Sequence, residues 1–415
     1  MLLCSQLAPV NPQTFRHIFT FVRDIGYGTE GTVSRWENRT AGQVVALKVP
    51  RTPDRSKDLL AEIVALKKVP PHENITNFLT YILQHEPVGP ALVFELAQWG
   101  DVSKFRRTFL RYVDKVPEMT LWKFLLDMSL ALDWLHNQMG EGHIHGDLKP
   151  ENILVFSPPG WKGAHDKLPT LPTFKISDIA RMKPASANIK YHGTYEFGPP
   201  LKERERKQTP AADVWAIGAS LQNFALGVMP VKNKDEYIKE KEEEGGYVPT
   251  LEDLRTEKWR KIIPHQYRPI NMSEDYQRYN MNIEPTAPYS FDLQRWYERL
   301  YAEDISKRAS SKWLVKKYVP YAEVKIQTML REQEQKRARQ TFLGEQEQRV
   351  ERQRQILIQN KEPRPQVPDV LQSAAAVLRE PATVREAQVY HAYELEVRQA
   401  RAGLAAQGER PPWRY

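Results

Sequence analysis

Eight residues near the middle of this chain constrain it more than any other feature: His145-Gly146-Asp147-Leu148-Lys149-Pro150-Glu151-Asn152. The string places an acid, a base and an amide within one turn. An ordinary polar loop is the plain alternative, but the string is long and sits in a telling place. A strongly apolar helix is predicted just before it, over residues 121–137, carried by Leu121, Phe124, Leu125, Met128, Leu132 and Leu135. After it, residues 156–173 hold Pro158, Pro159, Gly160, Gly163, Pro169 and Pro172 and read as a loop insertion. A short strand then ends in Asp178.

The first third of the chain alternates apolar and polar residues as strands do. Residues 21–25, 32–36 and 44–49 read as strands, with Gly26, Gly28 and Gly31 in the first gap. Residues 58–68 read as a helix through Leu59, Ile63 and Leu66, and residues 91–96 as a buried strand. Residues 1–19 carry no clear pattern. Gly26-Tyr27-Gly28-Thr29-Glu30-Gly31 sits between two strands, so it is a hairpin and not the strand–turn–helix of a dinucleotide site. Such a hairpin can fold over a triphosphate, or it can simply be a turn. Lys48, in Val45-Ala46-Leu47-Lys48, stands in an apolar run where an unpaired charge is costly. A ligand phosphate or Glu62 on the following helix would satisfy it, unless Lys48 snorkels from an edge strand.

Together these residue types suit phosphoryl transfer, which needs positioning and charge neutralisation more than covalent chemistry. Asp147 would accept the proton of an incoming Ser or Thr hydroxyl, Lys149 would balance charge on the moving group, and Asn152 and Asp178 would hold magnesium.

On these motifs, residues 21–320 resemble the protein kinase superfamily, with glycine loop, strand Lys, helix Glu, catalytic loop and metal Asp in the family's order. The resemblance implies an α+β, bilobal fold. A small β-rich N-lobe (about 21–97) would precede a larger, mainly α C-lobe (about 98–320), with ATP in the cleft between them. It implies that Gly26, Gly28, Gly31, Val33, Ala46, Lys48, Glu62 and Leu154 line the ATP site, with Phe94, Glu95 and Ala97 as gatekeeper and hinge. Asp147 and Lys149 would be catalytic. His145, Asp213 and Arg308 look like the family's bracing residues, and Thr194 like the residue that meets the acceptor. Lys149 with Thr194 resembles Ser/Thr rather than Tyr kinases. The His-Gly-Asp string resembles that of divergent kinases of filamentous fungi.

Four positions depart from the family. Gly146 replaces an Arg that usually grips a phosphate on the activation segment, so switching by phosphorylation at Ser186, Tyr191 or Thr194 is not expected. Ile179-Ala180 replace Phe-Gly, which suggests a stiffer segment. Leu201 stands where a Glu normally pairs with the late Arg, which leaves Arg308 either without a partner or served by Glu203 or Glu205. These changes keep a second reading open, a pseudokinase that binds nucleotide and acts as a scaffold.

Beyond about residue 320 the chain turns rich in Gln, Glu and Arg. Residues 321–361 read as a long polar helix without a strict heptad, followed by helical candidates at 370–379 and 387–406. This extension of 321–415 is expected to be helical or partly disordered, and to dock on a partner or on the kinase lobes. The net charge of +8 comes without a run of like charges, so protein substrates are expected and specific nucleic-acid binding is not. One cysteine, Cys4, excludes a disulfide framework or zinc ribbon and fits an intracellular place, cytoplasmic or nuclear. No apolar run approaches the roughly 18 residues of a membrane span, so no membrane role is expected.

Overall fold

The computed structural model describes residues 8–27, 31–86, 89–161, 168–245 and 247–359. Cys4, Gly28 and the helical candidates at 370–379 and 387–406 lie outside the described residues. The chain divides into two compact units, Met1–Gln333 and Glu334–Tyr415.

In the first unit, β1 (Thr20–Tyr27), β2 (Gly31–Glu37), β3 (Val44–Pro50), β4 (Phe78–His85) and β5 (Gly89–Glu95) form one antiparallel sheet in the order β1-β2-β3-β5-β4. Side chains alternate across a strand. Val45 and Leu47 therefore share one face of β3, and Ala46 and Lys48 share the other. The first face is closed by α1 (Pro12–Ile18), whose Phe15 clusters with Val45, Leu47, Ile82, Ala91 and Val93. Neither α1 nor β4 is foreseen by the periodicity. Seven residues make too few turns to show a helical repeat. The cue that was there is local: the Asn11 side chain accepts from the Gln13 and Thr14 amides, and Pro12 opens the helix. On the second face lies α2 (Ser56–Leu66), which buries Leu59, Ile63 and Leu66 beside Leu92 and Tyr81.

The larger lobe begins with α3 (Val102–Phe109) and α4 (Glu118–Asp133), the latter prolonged by a π-helical turn over Trp134–Gln138. Four short strands follow: β6 (His143–Ile144), β7 (Ile153–Phe156), β8 (Thr173–Ile176) and β9 (Lys183–Pro184), paired β6–β9 and β7–β8. The insertion between β7 and β8 is loop where it is described. Next come α5 (Leu201–Arg204), α6 (Pro210–Leu226), α7 (Lys234–Glu244), α8 (Glu257–Arg260), α9 (Glu274–Asn280), α10 (Phe291–Leu300), α11 (Ser311–Trp313) and α12 (Val319–Gln359). Helix α7 is rich in Lys and Glu and mostly exposed, with Tyr237 as its buried residue. Phe105, Phe124, Phe174 and Phe224 fill the space between α3, α4, β8 and α6, with ring centroids 5.3–6.4 Å apart. Such tilted and edge-on pairs add to the gain from burial alone.

A backbone seam joins the lobes. The Thr76 amide donates to the Ile176 carbonyl at 2.8 Å, and the Ile176 amide donates to the Asn74 carbonyl at 2.9 Å. This is a bilobal α+β fold with a small antiparallel lobe and a helical one. The first turns of α12 bury Val319, Ala322 and Ile326. In the second unit the described residues continue α12, rich in helix-favouring Glu, Gln and Arg, with Phe342, Val350 and Ile356 exposed. No helix among the described residues is long and apolar enough to cross a membrane.

Candidate active site

The eight-residue string lies between β6 and β7, over a buried carboxylate. Asp213 of α6 accepts from the His145 amide at 2.8 Å, the Gly146 amide at 2.9 Å and His136 Nε2 at 3.0 Å. Burial works against its charge, but the hydrogen bond from His136 and the Gly146 amide hold the carboxyl below its ordinary range. A carboxylate that accepts several donors in a dry place fixes the loop backbone. His145 Nδ1 accepts from the Asp147 amide at 3.2 Å, and Nε2 lies 2.8 Å from the Ser177 carbonyl. Those partners define the tautomer with the proton on Nε2. Gly146 has φ +79°, where a side chain is strained. A Cβ there would lie 3.1 Å from the Gln208 amide nitrogen, which is buried with no hydrogen-bond partner among the described residues.

Asp147 faces Thr194. Its Oδ1 accepts from the Thr194 amide at 2.7 Å and from the Thr194 hydroxyl at 2.8 Å. Lys149 donates to that same hydroxyl oxygen at 2.9 Å and stands 3.5 Å from Asp147 Oδ2. Asn152 Nδ2 donates to the Asp147 carbonyl at 2.8 Å, and the Asn152 carbonyl accepts from both the amide and the hydroxyl of Ser177. The catalytic-loop candidate and the Asp178 segment are therefore bonded to each other directly. A cavity of about 320 Å³ opens beside Gly146 and Asp147, bordered by Lys183, His192, Gly193 and Gln208.

On the opposite side, Lys48 binds Glu62 with Nζ–O distances of 2.7 and 2.8 Å. Burial raises the Glu62 pKa, and Lys48 pulls against that rise. Asp178 adds its own charge nearby and pushes Glu62 further up. Asp178 takes a left-handed backbone, φ +59°, an uncommon conformation that Asp tolerates better than most residues. The next residue, Ile179, is buried in the main core. The structure thus brings Lys48, Glu62 and Asp178 together, and separately Asp147, Lys149, Asn152, His145, Thr194 and Asp213.

Other candidates fall less simply. A Cβ on Gly31 would collide with the Val49 carbonyl, so that glycine is required by strand packing whatever else it does. Gly26 has ordinary room. Val33 and Lys48 are cross-strand partners, as are Ala46 and Phe94, and Leu154 pairs with Lys175. The Glu95 carboxylate binds Lys175 at 2.9 and 3.0 Å and accepts from the Asn77 amide at 2.7 Å, so its side chain serves the lobe junction. At Ala97 the carbonyl closes a turn with Gly100.

Arg308 has a partner. Leu201 is 46% exposed, and Glu203, two residues further on, binds Arg308 through both oxygens at 2.9 and 3.0 Å. The alternative of an unpaired arginine is thereby corrected. The pairing residue sits two positions later because α5 turns Glu203 inward. Sequence reasoning missed His136, which bonds Asp213, and considered Tyr191 only for phosphorylation, whereas its hydroxyl donates to the Thr194 carbonyl at 2.9 Å. Neither lies in a recognisable spacing with its partner.

The family model described as the protein kinase domain matches residues 19–319. A probable serine/threonine-protein kinase of Dictyostelium discoideum is 26% identical over 236 residues, 52% of this chain and 49% of its own length. An Aurora kinase of Debaryomyces hansenii is 26% identical over 234 residues, 54% of this chain and 52% of its own. A serine/threonine-protein kinase of Phytophthora infestans is 28% identical over 233 residues, 52% of this chain and 56% of its own. The chain thus spans about half the length of these curated relatives.

Proposed function

Because this chain belongs to the protein kinase domain family, we propose that residues 21–320 transfer the γ-phosphoryl group of ATP to Ser or Thr hydroxyls of protein substrates. The observation that carries the reading is the Asp147–Thr194–Lys149 contact set. Thr194 engages Asp147 Oδ1 twice, which directs the second oxygen, Oδ2, toward an incoming hydroxyl. As the hydroxyl oxygen bonds to the γ-phosphorus and the bond to the β-phosphate bridge breaks, the hydroxyl proton passes to Oδ2. Lys149, 3.5 Å from that oxygen, offsets charge on the transferring group. Held by Glu62, Lys48 is placed to meet the nucleotide's phosphates.

The family implies ATP as substrate and a divalent metal with it. One carboxylate, Asp178, and one amide oxygen, Asn152, make a hard oxygen donor set that suits magnesium shared with nucleotide phosphates. The Ser177 bonds to Asn152 keep those two residues in step. Bound there, the metal would neutralise phosphate charge.

The test is phosphoryl transfer from labelled ATP with magnesium to a Ser/Thr peptide array, wild type against Asp147→Asn. Loss of the proton acceptor should lower transfer about 10²–10⁴-fold while nucleotide binding persists. A second reading, a nucleotide-binding scaffold, is favoured by Ile179-Ala180 in place of Phe-Gly. It prevails if wild type and variant both bind nucleotide and both stay silent.

A further inference from the structure

We infer that Tyr191 is a positioning residue for phosphoryl transfer, setting the Thr194 peptide so that its amide and hydroxyl both reach one oxygen of Asp147. This inference rests on the proposed kinase activity for its rate consequences, but not for its structural ones.

Tyr191 is 7% exposed, and its hydroxyl donates to the Thr194 carbonyl at 2.9 Å. The same carbonyl accepts from the Phe197 amide at 3.1 Å and the Gly198 amide at 3.0 Å. These three donors hold the peptide between Thr194 and Tyr195, next along the chain to the peptide that carries the Thr194 amide. Across the same residue, the Thr194 amide points at Asp147. The chain around the ring is shaped to admit it. A Cβ on Gly193 would lie 2.5 Å from the Tyr191 hydroxyl and would also strike the Gly146 carbonyl. A Cβ on Gly198 would lie 2.5 Å from the Tyr191 ring. Two glycines that flank Thr194 thus leave their side-chain space to one tyrosine. The Arg204 guanidinium lies 6.0 Å from that ring and donates to the Tyr195 carbonyl, closing the far side.

A hydroxyl this enclosed and already donating has no room for a phosphoryl group in the folded state. Tyr191 therefore acts by position and not as a regulatory acceptor. Losing its hydroxyl leaves the Thr194 carbonyl two donors, so the peptide should loosen without the fold collapsing. The consequence falls on Asp147 and the bound hydroxyl, not on ATP, because no contact of Tyr191 among the described residues reaches the Lys48–Glu62 side.

The experiment compares Tyr191→Phe, which keeps the ring, with Tyr191→Leu, which also empties its space. With a Ser peptide selected from the array, Tyr191→Phe should lower kcat about 10-fold, the factor that one modest interaction is worth. KM for ATP and thermal midpoint should stay near wild type. Amide hydrogen exchange at Thr194 should speed up by a similar factor in Tyr191→Phe and more in Tyr191→Leu. Unchanged kcat with unchanged Thr194 exchange overturns the inference. So does a parallel fall in thermal midpoint, ATP affinity and kcat, which would mark general packing. A phosphate found on Tyr191 by intact mass and peptide mapping overturns it too. Should wild type itself transfer nothing, the kinase reading fails, and Thr194 exchange still decides what Tyr191 positions.

Discussion

At the scale of single residues, this protein shows how a lost partner is replaced two positions away. The Arg308 guanidinium is sealed between α5 and the chain after α10, where it also donates to the Ala211 and Ala302 carbonyls. With both partners almost fully buried, removal of one leaves an uncompensated charge. Glu203→Ala should therefore cost about 3–5 kcal/mol in urea-unfolding free energy. Adding Leu201→Glu to that variant should not restore it, because residue 201 faces solvent. Recovery by the double variant would show that α5 can rotate to serve Arg308 from either position. Catalytic candidates follow the same logic. Asp147, Lys149 and Asn152 are close in sequence and were legible together, whereas His136 lies near Asp213 only because two helices meet.

At the scale of elements, α4 and β8 are tied by a group that periodicity could not single out. Asp127, on the buried helix predicted over residues 121–137, accepts from the Phe174 amide at 2.8 Å and from Lys123. Burial, partly offset by Lys123 and the Phe174 amide, raises its pKa from 3.8 to about 6. Between those values the folded protein holds a proton that the unfolded chain has released. Its contribution to stability is present below about pH 4 and declines as pH rises through about 6, by roughly 3 kcal/mol across that window. Urea titrations at several pH values from 4 to 7 should show that downward slope, and Asp127→Asn should remove it. A slope that survives the substitution would assign it to another group. Strands β1, β2, β3 and β5 and helices α2 and α4 were foreseeable from their apolar spacing. Helix α1 was not, because its hold on the sheet comes from the single buried ring of Phe15, with Phe19 and Trp36 around it.

For the whole first unit, the two lobes are joined by backbone hydrogen bonds. Ile75 forms an isolated parallel bridge with Ile176 of β8, and Asn74 Nδ2 donates to the Phe174 carbonyl at 3.1 Å. Lobes joined in this way should unfold together, in one calorimetric transition. Asn74→Ala removes the side-chain tie from a buried site, should cost about 1–3 kcal/mol, and should broaden or split that transition. A lower midpoint with undiminished cooperativity would place the coupling elsewhere, for instance in the Lys175–Glu95 pair. The amino-acid sequence by itself determined the order of motifs, the alternation that turns Lys48 away from Val45 and Leu47, and the acid, base and amide packed into 145–152. Those follow from local geometry, since neighbours along a strand or turn have few ways to lie. Only the tertiary structure decided that Glu203 serves Arg308, that His136 serves Asp213, and that Tyr191 and two glycines aim Thr194 at Asp147. Partners far apart in sequence are chosen by how helices and loops pack. Burial makes each unpaired polar group costly, but it does not say in advance which distant group will meet it.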